Sequence, residues 1–119
     1  METGLIAVAE RIEATGTTLS TADADRVIEA IAKVRPDLLV TETELLSAEG
    51  VLHFADRVVP GWSILLRGKA MEPDGHWRCT LRESASRDSD EFIGDGKGAD
   101  LSSAILAAIL RVIEFQAQR

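Results

Sequence analysis

A few side chains in this sequence have the types and the spacing that catalytic sites use. His53 and Asp56 lie three residues apart, so on a helix they would face each other, as a general base and its orienting carboxylate do. No nucleophile lies near them in the sequence, so an enzymatic function has the least support. Cys79 alternates with Trp77 and Leu81, and this apolar pattern predicts a buried thiol rather than a reactive thiolate.

The segment Gly94-Asp-Gly-Lys-Gly98 has the glycine content of loops that hold a phosphate group before a helix. A Walker loop needs Ser or Thr after its Gly-Lys pair, whereas Lys97 is followed by Gly98 and Ala99, so we predict a flexible turn. A calcium loop needs ligands at fixed positions around a central Gly. The nearby acids do not have this spacing; they are Asp88, Asp90, Glu91 and Asp95. No metal site and no cofactor is predicted.

The composition excludes several classes of protein. The chain has 119 residues and a formal net charge of −7, and its apolar share of 45% fits one globular domain. A net negative chain repels phosphate, which disfavours nucleic-acid binding. A single cysteine excludes an intramolecular disulfide and fits a reducing compartment. Without a signal pattern or a membrane-spanning apolar stretch, the protein is expected to be soluble and cytoplasmic, with no membrane partner.

Helical spacing of apolar residues predicts the elements in the first third of the chain. Residues 1–19 contain a short amphipathic helix and are interpreted as an N-terminal arm, and residues 20–119 as a single α+β domain. Ser20 is the predicted N-cap of a second helix, which Pro36 ends.

A third helix is predicted from the capping-box pattern of Thr41 and Glu44. We expect this helix to continue through Gly50 with a weak point there. The alternative is that Gly50 ends the helix and leaves residues 51–59 extended.

Beyond Pro60 the period of the apolar residues changes from that of a helix to two, which predicts strands. Residues 72–75 carry the turn chemistry of a hairpin, and residues 91–94 are a candidate short third strand. The predicted inward residues, with both tryptophans on one apolar layer, are Trp62, Ile64 and Leu66 on the first strand and Trp77, Cys79 and Leu81 on the second.

The last helix, from about residue 99, is apolar around much of its circumference. This pattern implies burial against a sheet and against another element or subunit. The predicted fold class is therefore α+β, with a small antiparallel sheet of about three strands packed against helices in the order α-(α)-β-β-β-α. A homodimer formed through the last helix is one arrangement that would bury this apolar surface.

Two families resemble the second half of the chain. Gly94–Gly96 and the alanine-rich residues 104–108 resemble the last loop and helix of double-stranded-RNA-binding domains. That family grips phosphates with lysines at the start of this helix, where this chain has Ala99, Asp100 and Ser102. The resemblance implies a shared topology without the RNA-binding activity.

The second resemblance is to small phage proteins of the α-β-α sandwich type. It runs through Pro60-Gly-Trp-Ser-Ile64, Trp77, Gly94–Gly98 and residues 103–108. It implies a small antiparallel sheet between helices and no catalytic residues. It also implies a phage or prophage accessory gene, whose product acts by binding a host protein.

Charge placement suggests how such a protein would bind. Two acidic blocks flank a mildly basic hairpin, and each is either a solvated face or a surface for a basic host partner. We expect a non-catalytic inhibitor of a nucleic-acid-dependent defence system, with a small structural protein that dimerises through its last helix as the alternative. The predicted partner-binding residues are Glu42, Glu44 and Glu49 in the first block and Asp88, Asp90 and Glu91 in the second.

Overall fold

The computed structural model describes residues 4–15, 19–68, 77–82 and 93–117. Within these ranges the chain forms helices and one antiparallel three-stranded sheet, so the predicted α+β class and element order are confirmed. The helices are α1 (Gly4–Thr15), α2 (Thr21–Val34), α3 (Glu42–Leu45), α4 (Ala48–Val58) and α5 (Leu101–Ala117). The strands are β1 (Ser63–Gly68), β2 (Trp77–Arg82) and β3 (Ile93–Gly98).

Two predicted helix starts are confirmed by their hydrogen bonds. The Ser20 hydroxyl accepts from the Asp23 amide N–H at 3.1 Å. Thr41 accepts from the Glu44 amide, and the Glu44 carboxylate accepts in return from the Thr41 amide, which completes the capping box. These short polar side chains satisfy amides that have no partner inside their own helices.

The predicted third helix is two helices, so the prediction of one continuous helix from Thr41 was wrong. The prediction that a helix crosses Gly50 is confirmed, and the alternative that residues 51–59 are extended was wrong, because α4 runs to Val58. The break lies at Leu46 and Ser47, where the Ser47 hydroxyl accepts from the Gly50 amide at 3.0 Å and begins α4. Gly50 lies inside the first turn of α4. A Cβ there would overlap the backbone of Glu44, so this glycine allows α3 and α4 to approach closely.

The strand register confirms the predicted pairing of the first two strands. Leu66 pairs with Cys79, which pairs in turn with Gly96 on β3. Paired residues share a face, so the inner face of the sheet carries the apolar side chains of β1 and β2. The predicted turn at residues 72–75 lies outside the described residues.

The glycine-rich segment is a strand and not a turn, which corrects both the flexible-turn prediction and the third strand predicted at residues 91–94. Gly94, Gly96 and Gly98 all lie on the inner face and are buried. A Cβ at Gly96 would overlap the carbonyl oxygen of Ala104 and the amide nitrogen of Ala108. Alternate glycines therefore let the backbone of α5 lie directly on β3.

Helix α5 is the centre of the core. It packs on β2 and β3 on one side and on α1, α2 and α4 on the others, and residues 102–110 are all buried. Its wide apolar surface is therefore occupied by elements of its own chain. Leu5, Ala9 and Ile12 of α1 belong to this same apolar cluster, although the predicted boundary at residue 19 stays a prediction. No helix in the described ranges is long and apolar enough to cross a membrane.

The two tryptophans both pack against the core, which agrees with the prediction that they face one apolar layer, and they lie at opposite ends of β1. Trp62 precedes β1, whereas Trp77 pairs with Gly68 at the other end of the strand. Both side chains are half-buried and pack against the core. A Cβ at Gly68 would overlap the Trp77 ring, so the ring lies over a glycine.

Candidate functional site

The outer face of the sheet is the strongest candidate for a functional site. Side chains alternate between the two faces of a strand, so the residues between the inward ones point away from α5. All but the half-buried Thr80 are exposed. This surface, called here the open face, consists of Ser63, Leu65, Arg67, Arg78, Thr80, Arg82, Asp95 and Lys97.

Three basic side chains form a row across the open face. Arg67 pairs with Arg78, and Arg78 pairs with Lys97, so one cation from each strand stands beside the next. Neighbouring strands are about 4.8 Å apart, and like charges directly opposite one another destabilise a sheet. Within the described residues these three side chains, called here the cationic row, form no ion pair or hydrogen bond.

The next row of the open face is built differently. Leu65 pairs with Thr80, which pairs with Asp95, and the Thr80 hydroxyl donates to the Asp95 carboxylate at 3.0 Å. A shallow depression of about 160 Å³ lies between this row and the cationic row, lined in part by Arg67, Arg78, Thr80 and Asp95. The depression therefore combines two guanidinium groups with one oriented carboxylate.

Cys79 lies on the inner face beneath this depression. Burial, and secondarily the negative charge of Asp95, raises the pKa of its thiol from 9.0 to about 12. The side chain is only 1% exposed, as the sequence predicted. Burial and the raised pKa therefore favour a neutral thiol at physiological pH.

The β3 edge of the sheet is closed by a clamp from two helices. Arg111 of α5 donates to the Asp95 carbonyl at 2.7 Å and to the Glu13 carboxylate at 2.9 Å. Glu13 of α1 also accepts from the Lys97 amide at 3.2 Å. These contacts use the backbone groups that β3 would otherwise offer to another strand. The hydrogen bond that Arg111 donates to the Glu13 carboxylate raises the pKa of Arg111.

In the described part of the chain, the β1 edge has no such cover. β2 is the only strand that pairs with β1 in the described part of the sheet. The inward side chains Ile64 and Leu66 are half-buried, and the outward Leu65 is 53% exposed. The two edges of the sheet therefore differ, because one is clamped and the other presents apolar side chains beside a free edge.

The first predicted acidic block is partly used inside the molecule. Glu44 caps α3 and accepts from Arg57 at 2.8 Å on both carboxylate oxygens, while Arg57 also donates to the Leu39 carbonyl. Glu44 is therefore half-buried and already paired inside the molecule. Glu49 is exposed and Glu42 is half-buried, so these two remain available to a partner.

The second predicted block, Asp88, Asp90 and Glu91, lies outside the described residues and stays a prediction. His53 and Asp56 are both exposed on α4, and within the described part of the chain no hydrogen bond joins them. Across the same residues no three potential metal ligands come together.

The start of α5 differs from a phosphate-binding helix start. Asp100 accepts from the Ser103 amide at 3.0 Å and from the Ser102 hydroxyl at 3.3 Å, as an N-cap does. Ser102 and Ser103 are 7% and 1% exposed. The positions where the RNA-binding family carries lysines are therefore capped by a carboxylate or buried.

Sequence reasoning missed the cationic row. The alternation of Arg78 and Arg82 with apolar residues predicts that both point outward, whereas the glycines around Lys97 predict a turn. The sequence feature that indicates this strand is a glycine at every second position from Gly94 to Gly98. Such spacing is typical of a strand that packs closely on a helix backbone. With that strand in place, the register brings the three cations together.

The comparisons with known proteins add no relative. No family model, no curated protein and no solved structure matches this chain. The resemblances to phage proteins and to RNA-binding domains therefore stay predictions.

Proposed function

We propose that the protein is a non-catalytic binding protein that holds an acidic region of a partner protein on the open face of its sheet. The observation that supports this proposal is the cationic row, in which Arg67, Arg78 and Lys97 stand side by side without a counter-ion in the described chain. In the phage accessory setting implied by the resemblance, the partner is a host protein and the site of action is the host cytoplasm.

The charge arrangement favours a role in binding over a role in stability. A cross-strand pair of like charges destabilises a sheet, by an amount similar to the roughly 0.2–1 kcal/mol that favourable pairs contribute. The cationic row contains two such pairs. An acidic partner removes this repulsion on binding and gains charge-assisted hydrogen bonds to two guanidinium groups. The row therefore favours the bound state over the free state.

An acidic protein segment fits the open face better than a nucleic acid does. Non-specific single-strand binding relies on stacking of bases on aromatic side chains, and the described outward residues of the sheet include no aromatic. Duplex binding relies on many phosphate contacts, whereas this row offers three cations on a chain of net charge −7. A short acidic region needs only a few contacts.

The test compares two variants that each lose two exposed cations. Arg78→Gln with Lys97→Gln alters the cationic row, and Arg26→Gln with Lys33→Gln alters the outer side of α2 by the same charge. With labelled polyglutamate as the probe, we expect the first variant to lose at least tenfold in affinity and the control less than twofold. Equal losses of affinity in both variants would show that binding depends on net charge alone and not on the cationic row. Tighter binding of RNA than of polyglutamate would replace the proposal with a nucleic-acid function.

A second candidate uses the acidic surface for a basic partner, such as the nucleic-acid channel of a defence nuclease. It is favoured by Leu39, which is 77% exposed and lies three residues before Glu42. The matching variant is Glu42→Lys with Glu49→Lys, which leaves the structural Glu44 intact. If this second function is correct, the variant with both charges reversed should no longer inhibit the defence nuclease, and its melting temperature should be unchanged.

The alternative of an assembly protein that dimerises through α5 needs a different surface. The apolar side chains of α5 are already buried against the sheet and the other helices of the same chain. A dimer thus remains a proposal without an assigned interface.

A further inference from the structure

We infer that the partner's acidic segment docks as a fourth, antiparallel strand along the free edge of β1. This inference rests on the proposed function and specifies how the partner is held. It starts from the difference between the two edges of the sheet, since the Glu13–Arg111 clamp closes the β3 edge and no described element closes the β1 edge.

The β1 edge has the properties of a site for strand addition. An edge strand leaves every second residue's amide and carbonyl without a partner, and proteins normally protect such edges with charge, proline or a covering element. Helix α5 packs on β2 and β3, so β1 is held mainly by β2. Its inward residues Ile64 and Leu66 are only half-buried as a result. A further strand would complete their burial.

The register defines the side chains that an added strand should carry. A residue opposite Arg67 continues the cationic row and should be acidic, and a residue opposite the exposed Leu65 should be apolar. Residues opposite Ile64 and Leu66 face inward and should also be apolar. Antiparallel pairing is the more stable arrangement, so the acidic residue comes first in the partner segment and three apolar residues follow it.

A second copy of this chain fits the same edge less well. If two β1 strands paired about a twofold axis through Leu65, each Arg67 would lie opposite Ser63 of the other copy. Both cationic rows would then remain without a counter-ion, and two chains of net charge −7 would be brought together. A segment with an acidic residue opposite Arg67 supplies a counter-ion at that end of the cationic row, and a second copy in this register does not.

The inference is tested with the full chain and a synthetic peptide, acetyl-Ser-Glu-Val-Leu-Val-Thr-amide, followed by amide hydrogen exchange. We expect alternate amides of residues 63–68 to exchange at least tenfold more slowly with saturating peptide. A peptide with Lys in place of Glu should bind at least fivefold more weakly, and Arg67→Gln should remove that difference between the two peptides.

Backbone pairing is tested by N-methylation of the peptide. One peptide carries methyl groups on its second and fourth residues and another on its third and fifth, so that only one of them blocks the amides facing β1. We expect one peptide to lose at least tenfold in affinity and the other to bind like the parent. Equal affinity of both, or failure of the parent peptide to bind while polyglutamate binds, would overturn strand addition and leave the proposed function standing.

Two further outcomes show whether the proposed function fails or only the strand-addition inference fails. If polyglutamate affinity is unchanged in Arg78→Gln with Lys97→Gln, then the proposed function fails together with this inference. If the peptide-free protein has the mass of a dimer and its β1 amides are already protected, then a second copy occupies the edge and the inference is overturned.

Discussion

On β3, the residues that face α5 are Gly94, Gly96 and Gly98, whereas Asp95 and Lys97 face away from it. The same alternation runs through the sheet, so the inner face packs against the core, completely on β3 and only partly on β1, and the outer face carries the charges. The inner face has no room for a side chain at Gly96 or Gly98, because the α5 backbone lies on both glycines. The outer face places three cations side by side. One face is thus built for packing, and the other keeps an arrangement that packing does not explain.

The largest expected effect is on the inner face. Gly96→Ala should destabilise the protein by about 3 kcal/mol or more, because the new Cβ overlaps backbone atoms of α5 that cannot rotate away. Its matched control is Lys97→Ala, one residue along on the open face, which should change stability by no more than about 0.5 kcal/mol. Urea titration measures both. Similar losses in the two variants would mean that the faces are assigned wrongly.

Thiol chemistry separates the two faces a second way. Cys79 should react with a thiol reagent about 100-fold more slowly in the folded protein than in urea, because its thiol is buried and neutral. Thr80→Cys in a Cys79→Ala background places the thiol on the adjacent, outward position and should react quickly without denaturant. Rapid labelling of native Cys79 would contradict the burial of the inner face.

The same thiol predicts a pH dependence. Its pKa is 9.0 ordinarily and about 12 in the folded protein, so folding favours the neutral form. This contribution to stability is complete below pH 9.0 and is lost as the pH rises from there toward about 12. Cys79→Ala should therefore flatten the alkaline side of the stability profile, measured by chemical denaturation at a series of pH values. An unchanged alkaline slope would exclude the raised pKa.

The clamped edge should show a smaller effect. Glu13→Ala should cost about 2–3 kcal/mol, because it leaves Arg111 and the Lys97 amide without their shared partner. Glu10→Ala, an exposed acid on the same helix, is the control and should be nearly neutral. Thermal unfolding compares the two. If both substitutions cost equally little stability, the contacts of Glu13 and Arg111 do not hold the β3 edge.

The smallest expected change in stability has the opposite sign. Arg78→Glu puts an acid between Arg67 and Lys97 and converts two repulsive pairs into two attractive ones. The variant should be more stable than the parent by about 0.5–1 kcal/mol at low salt, with the gain reduced at high salt. A loss of stability in urea titration would show that the row is not repulsive.

Local signals in the sequence predicted much of this fold. Ser20 and Thr41 each place a hydroxyl where a helix start needs an acceptor, and the period-two pattern around Cys79 places its strand correctly. Such signals depend on neighbouring residues alone. The Glu44–Arg57 pair joins residues 13 positions apart, and nothing in the capping-box pattern indicates it.

The third strand and the open face depended on distant contacts. Glycines commonly indicate turns, and only the approach of α5 makes Gly96 favourable in a strand. The cationic row likewise exists only through the pairing of three strands far apart in sequence. The order of charges along the sequence therefore indicates the acidic blocks but not the row.

The role of the open face in binding is tested by measuring the polyglutamate affinity of the Arg78→Glu variant at several salt concentrations. If the row is kept for binding, this variant should bind at least tenfold more weakly than the parent while being at least as stable, and its affinity should depend less on salt. Parental affinity in a folded Arg78→Glu variant would contradict the claim that the open face is the binding surface.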